Sequence, residues 1–161
     1  MIERALADAA ATEGLGAALA RAAPWSAPQA LAVYLHGELG AGKTTLVRGL
    51  LRALGEAGTV RSPSFTLIES YERAGRHVVH ADLYRLAGSA DVASLGLRDE
   101  ARPGVLLLVE WPERAANALP PADLHVHLSI ANEGRNARLE AASPVGRAWL
   151  ASAFADAPSQ K

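Results

Sequence analysis

The sequence predicts an α/β domain: a mostly parallel central sheet, helices flanking it, and antiparallel hairpins added to it. Three observations carry that reading. Residues 30–36 (ALAVYLH) form an apolar run that stops at a glycine-rich turn, and a helical pattern follows at once. Residues 105–110 (VLLLVE) are apolar up to the last position, the form of a strand buried on both faces. Two pairs of short runs, 66–72 with 77–82 and 125–129 with 137–142, read as hairpins across Ala74-Gly75-Arg76 and Asn132-Glu133-Gly134.

The elements follow in order. Residues 8–23 are rich in Ala and Leu, with Leu15 and Leu19 four apart, which predicts an amphipathic helix weakened by Gly14 and Gly16. Pro24 and Pro28 mark a connector. From Lys43 to Leu54 the residues Leu46, Val47, Leu50, Leu51 and Leu54 share one helical face, and Gly55 suits a helix end. Residues 56–65 read as a loop. A helix is expected around 89–101, and another over 144–155 with Pro144 in its first turn. A crossover helix from residue 43 makes the neighbouring strand parallel.

Composition narrows the function classes. The 161 residues suffice for one compact domain, 1–161, with its own core. A net charge of −1 argues against an autonomous nucleic-acid binder, which needs surplus Lys and Arg to displace counterions. With no cysteine, thiolate metal sites and Cys nucleophiles are excluded. No apolar run approaches the ~20 residues that span a bilayer. The segment up to Ala11 carries Glu3 and Asp8 and does not look like a signal peptide, so a cytoplasmic protein without membrane contact is expected.

The turn after residue 36 is Gly37-Glu38-Leu39-Gly40-Ala41-Gly42-Lys43-Thr44, which fits G-x-x-x-x-G-K-[ST] at every fixed position. At average composition the four fixed positions coincide by chance in about one chain of this length in a hundred or fewer. The spacing has a physical reason. The glycines allow backbone conformations closed to residues with a Cβ, so successive N–H groups turn inward on phosphate oxygens. The helix starting near Lys43 adds the positive end of its dipole. Lys43 is expected on the β- and γ-phosphates and the Thr44 hydroxyl on Mg²⁺, with Thr45 the next hydroxyl along. Together these features predict the P-loop NTPase fold.

Downstream lie Ser62-Pro63-Ser64-Phe65-Thr66-Leu67, His80-Ala81-Asp82-Leu83-Tyr84-Arg85-Leu86 and Val109-Glu110-Trp111-Pro112-Glu113. With the loop, this series over about residues 8–140 resembles the TsaE (YjeE) family of bacterial ATPases. Ser64 stands where many relatives carry Thr. The resemblance implies an ATP hydrolase using ATP and Mg²⁺, required for threonylcarbamoyladenosine at position 37 of certain tRNAs. It also implies work beside TsaB and TsaD, the pair that transfers the threonylcarbamoyl group, with tRNA reached through those partners.

Roles can then be assigned. Glu110 ends the apolar strand and brings a carboxylate beside the loop, a Walker B arrangement, and the family places it on the metal with Thr44. Asp82 ends another strand and should reach the same edge. One acid holds the metal while the other orients water, and the residues alone leave open which does which. By resemblance Asp82 takes the water or the metal's second shell, so Asp82 and Lys43 are the expected catalytic pair. Ser64 and Thr66 sit where P-loop proteins keep a nucleotide-sensing loop; Ser62 fits that role and plain turn chemistry equally. Trp111 can flank the nucleotide or pack in the core. Thr12 and Arg135 resemble family positions on the base side of ATP. Tyr84 and Arg85 read as structural or partner-facing, and the five histidines show no metal-ligand spacing.

Two other functions fit a P-loop domain of this size: a small-molecule kinase, and a nucleotide-gated binding protein without turnover. No arginine cluster forms a kinase lid, and neither N-K-x-D nor D-x-x-G occurs, which argues against a GTPase. With no arginine finger evident, hydrolysis is expected to be slow alone and faster with partners.

Overall fold

The protein is described here by a computed structural model of residues 1–87, 89–115 and 117–155. The last stretch of the expected 1–161 domain, residues 156–161, lies outside the described residues. In chain order the elements are β1 (Ile2–Leu6), α1 (Ala9–Ala22), β2 (Leu31–His36), α2 (Lys43–Ala53), β3 (Ile68–Arg73), β4 (Arg76–Asp82), α3 (Ser89–Ser94), α4 (Leu97–Glu100), β5 (Val105–Glu110), a 3-10 turn (Pro112–Arg114), β6 (Leu124–Ile130), β7 (Arg135–Ala141) and α5 (Pro144–Ala153). No helix among them is long and apolar enough to cross a membrane.

Seven strands form one sheet in the order β1-β7-β6-β2-β5-β4-β3. The middle four, β6, β2, β5 and β4, are mutually parallel. Antiparallel strands flank them, β7 and β1 on one side and β3 on the other. This is the P-loop α/β fold with added hairpins. Every residue of β5 is buried, as its unbroken apolar run requires. One core lies between the sheet and α1, α2 and α5, built from residues such as Leu19, Leu35, Leu50, Leu108, Val126 and Trp149. A smaller core on the opposite face joins Tyr34, Val79, Leu107 and Val109 to Val92 of α3 and Leu97 of α4.

Local chemistry sets the boundaries. Asp8 caps α1 by accepting from Ala11 N–H at 2.7 Å, and Ser143 caps α5 by accepting from Gly146 N–H at 2.9 Å. Gly55 closes α2 with the paired bonds of a Schellman end, its own N–H to Arg52 O and Glu56 N–H to Leu51 O. The expected helix over 89–101 is in fact two short ones, because Gly96 turns left-handed (φ 70°) between them. The first hairpin turns on Ala74 and Gly75, both at positive φ, so Arg76 already belongs to β4. β1 has no counterpart in the sequence reading; it is an edge strand held by its pairing with β7.

Gly14 and Gly16 differ in purpose. A Cβ on Gly16 would stand 2.1 Å from Leu46 O, and one on Gly49 2.0 Å from Glu13 O, so α1 and α2 cross backbone to backbone. Gly14 faces open space. Gly16→Ala or Gly49→Ala is therefore expected to destabilise the protein by more than about 2 kcal/mol, since two helices must separate. Gly14→Ala should stabilise it by roughly 0.5–1 kcal/mol through helix propensity. Urea unfolding midpoints of the three variants check the contrast.

Candidate functional site

Three neighbouring parallel strands end level. Leu35 of β2 pairs with Glu110 of β5, and Glu110 pairs with Asp82 of β4. The glycine-rich loop leaves β2 two residues later and α2 starts where the loop ends, so loop, helix terminus and both acids share one edge. Gly37 has φ 141°, and a Cβ there would lie 2.4 Å from Leu128 O of β6. Gly42 has φ 105° and serves as the helix N-cap with no side chain to fill that role. The first intrahelical bond is Leu46 N–H to Gly42 O at 3.0 Å, which leaves the N–H groups of residues 43–45 free of helical acceptors. Ala41 is fully buried beneath the loop.

A cleft of about 450 Å³ opens here, lined by Leu39, Gly40, Gly42, Lys43, Thr44, Thr45, Ser62, Ser64, Asp82, Tyr84, Arg85, Glu110 and Trp111. Lys43 is only 5% exposed and folds back onto the loop, donating to Gly37 O at 2.6 Å and Glu38 O at 3.0 Å. Burial lowers its pKa, and the carboxylates of Glu110, Asp82, Glu113 and Glu38 oppose that shift. Its ammonium also lies 4.2 Å from the centre of the Trp111 ring, whose other neighbour is Tyr84 at 4.8 Å. Trp111 holds a left-handed backbone (φ 59°, ψ 48°), a conformation that costs a residue with a side chain roughly 1–3 kcal/mol.

The two acids are held differently. The Thr44 hydroxyl donates to Glu110 Oε1 at 2.9 Å, so the lone pairs of the Thr44 oxygen stay available. His80 Nε2 lies 2.8 Å from the same Oε1. Glu110 Oε2 takes no side-chain donor and is not sealed from the cleft. Asp82 accepts from Ser62 Oγ at Oδ2 and from Tyr84 N–H at Oδ1, the latter at 3.0 Å. A carboxylate offers about four lone-pair positions, so Asp82 keeps capacity for a further donor.

Some expected residues lie off the cleft wall. Thr12 is buried on α1 behind the loop; its hydroxyl donates to Asp8 O at 3.1 Å and its methyl faces Gly42. Thr66 is exposed and donates to Glu69 Oε1 at 3.3 Å. Arg135 opens β7 and reaches the glycine-rich loop from outside, donating to Gly40 O at 3.2 Å. Conversely, the cleft includes Tyr84 and Arg85. Arg85 stacks over the ring of Phe65, which is 86% exposed. Their signal was position: they follow Asp82 by two and three residues.

The geometry fits a magnesium-bound triphosphate. Among the described residues no three His, Asp or Glu side chains gather into a self-sufficient metal site. Mg²⁺ held with phosphates needs no such cage, since it keeps waters and takes one or two protein oxygens. Thr44 Oγ1 and Glu110 Oε2 are such oxygens, and the free N–H groups of the loop and first helical turn suit phosphate.

A sequence model of the family described as threonylcarbamoyl adenosine biosynthesis protein TsaE matches residues 6–139. A relative from Haemophilus influenzae named tRNA threonylcarbamoyladenosine biosynthesis protein TsaE is 43% identical over 119 residues, 74% of this chain and 75% of the relative. A Synechocystis protein of the same name is 40% identical over 113 residues, 68% of this chain and 69% of the relative. The crystal structure of YdiB from Bacillus subtilis matches with a TM-score of 0.75 at 22% identity, over 96% of this chain and 94% of that one. The last is a likeness of fold.

Beside the loop, on the other face of the sheet, three imidazoles meet. His36 Nε2 lies 2.9 Å from His125 Nδ1, and the His36 ring stacks on His127 at 4.4 Å. Burial, with His127 and His125 adding to it and Glu113 opposing, lowers the His36 pKa from 6.5 to about 4. Between those values the unfolded chain binds a proton that the folded protein refuses. Stability is then unaffected above pH 6.5 and falls as pH drops towards 4, by at most about 3 kcal/mol from this group. Urea unfolding across pH 4–7 should show that decline, and His36→Gln should flatten it.

Proposed function

Because the chain belongs to the TsaE family of threonylcarbamoyladenosine biosynthesis proteins, we propose that it is a magnesium-dependent ATPase supporting that modification at position 37 of tRNA. In this reading it works with TsaB and TsaD, and it meets tRNA through them. One observation carries the enzymatic part: Lys43, Thr44, Asp82 and Glu110 line a single cleft at the mouth of a glycine-rich loop.

Each residue has a task its geometry suits. The N–H groups at the start of α2 hold phosphate oxygens, and Lys43 exchanges its two carbonyl partners for the β- and γ-phosphates. That exchange is favoured because a buried ammonium gains more from an anion than from carbonyl dipoles. Thr44 and Glu110 would hold Mg²⁺, which when bound would neutralise phosphate charge. Asp82, already fixed by Ser62 and Tyr84 N–H, has lone pairs left to orient an attacking water and accept its proton. Trp111 and Tyr84 form an apolar wall on one side of the phosphates' approach. The net charge of −1 agrees with access to tRNA through a partner.

Calorimetry and ADP release test this reading. Lys43→Ala should weaken Mg·ATP binding by roughly 10- to 100-fold, the loss of charged hydrogen bonds. Asp82→Ala should keep affinity within about threefold while hydrolysis falls by about 100-fold or more. Turnover should rise when TsaB and TsaD are added. An Asp82→Ala enzyme of full activity removes Asp82 from the mechanism, and an unchanged rate with the pair removes their part in turnover.

A further inference from the structure

Behind Glu110 lies a buried imidazole to which the mechanism above gives no task. His80 sits on β4 two residues before Asp82 and is fully buried, and Glu110 is 3% exposed. His80 Nε2 is 2.8 Å from Glu110 Oε1, the oxygen that also accepts the Thr44 hydroxyl at 2.9 Å. His80 Nδ1 has no hydrogen-bond partner among the described residues. Its surroundings on this face are aliphatic: Val78 precedes it on β4, and Leu106 and Leu108 precede Glu110 on β5. An imidazole placed there makes one polar contact, and that contact is with Glu110.

We propose that His80 is a positioning residue for magnesium: its Nε2–H pins Glu110 Oε1 from the core and leaves Oε2 turned to the cation position beside Thr44. An ionised carboxylate accepts only, so the hydrogen of this bond belongs to His80. Thr44 and His80 together engage both lone pairs of Oε1, and the carboxylate cannot swing without breaking two hydrogen bonds, one of them fully buried. A histidine donates here without the permanent charge of Lys or Arg, which would compete with the metal for Glu110. Outer groups that fix a ligand carboxylate alter metal affinity when removed, typically by 10- to 100-fold.

The inference rests on the reading of the cleft as a magnesium–ATP site, and the test separates the two. His80→Leu removes the donor; His80→Gln keeps an N–H donor at about the reach of Nε2; His80→Asn keeps one that falls short. Calorimetry measures ATP affinity with EDTA and then over a magnesium titration, and the same titration is followed by ADP release. For His80→Leu the magnesium giving half-maximal effect should rise about tenfold or more in both measurements, while metal-free ATP affinity stays within about twofold. His80→Gln should restore the parent's magnesium dependence and His80→Asn should not. If His80→Leu fails to fold, the Gln–Asn contrast decides alone. Parent-like magnesium dependence in His80→Leu, or equal behaviour of the Gln and Asn variants, overturns the proposal. A parent protein that binds ATP no better with magnesium than without overturns the metal reading of the cleft itself, and the role of His80 with it.

Discussion

The backbone hydrogen bonds that set Leu35, Glu110 and Asp82 level across three parallel strands govern everything built at this edge of the sheet. Parallel strands share direction, so their C-terminal ends share an edge, and ligands in open α/β sheets bind there. A two-residue slip of β5 would carry Glu110 away from Thr44 by one strand repeat, nearly 7 Å. The slip is resisted because β5 is buried on every residue and pairs on both sides. A one-residue slip would turn Glu110 to the opposite face. The chemistry therefore borrows its precision from the sheet, and the loop needs only to start at the right strand.

Helix packing supplies the second coordinate. The start of α2 fixes where its free N–H groups point, and α2 is located by its close crossing with α1. Gly16 and Gly49 let the two backbones touch, which leaves little freedom to slide. Thr12, one turn before Gly16 on α1, packs its methyl against Gly42 at the foot of the loop. Its resemblance to a base-contacting position is thus joined here by a different attachment, a brace under the N-cap of α2.

Features set by local geometry were legible in the sequence, and those set by distant partners were not. The glycine-rich loop shows because its spacing is itself backbone geometry, and β5 shows because burial on both faces forbids polar residues. The helix break at Gly96 was missed because a lone glycine in a helical pattern is ambiguous until φ is known. β1 was missed because Ile2–Leu6 is short and half-exposed, and its reason for existing is β7, more than a hundred residues on. Gly14 and Gly16 look alike in sequence; only the passage of α2 separates them. Lys43, Thr44, Asp82 and Glu110 share one cleft, and each lies at or next to the end of an element, a position that the sequence pattern marks. No local pattern marks the contacts of Ser62 and His80, because their partners, Asp82 and Glu110, lie 20 and 30 residues away. A signal for His80 existed: it shares a strand face with Asp82, beside the strand that carries Glu110.

The attachments of the two acids argue for a division between them that neither burial nor position alone provides. Glu110 is gripped from the interior, by His80 on β4 and Thr44 on α2. Asp82 is gripped from the surface: Ser62 holds its carboxylate, and its backbone N–H donates to Leu67 O at 3.0 Å. Leu67 is itself at positive φ (65°), a conformation costing roughly 1–2 kcal/mol that the surrounding bonds must offset. The same segment carries Phe65, exposed beneath the Arg85 guanidinium at the rim of the cleft. Displacing residues 62–67 would break contacts made by Asp82 and Arg85, whereas Glu110 has no hydrogen bond to that segment among the described residues. On the proposed reading, the acid assigned to water is therefore tied to the surface segment, and the acid assigned to magnesium to the core.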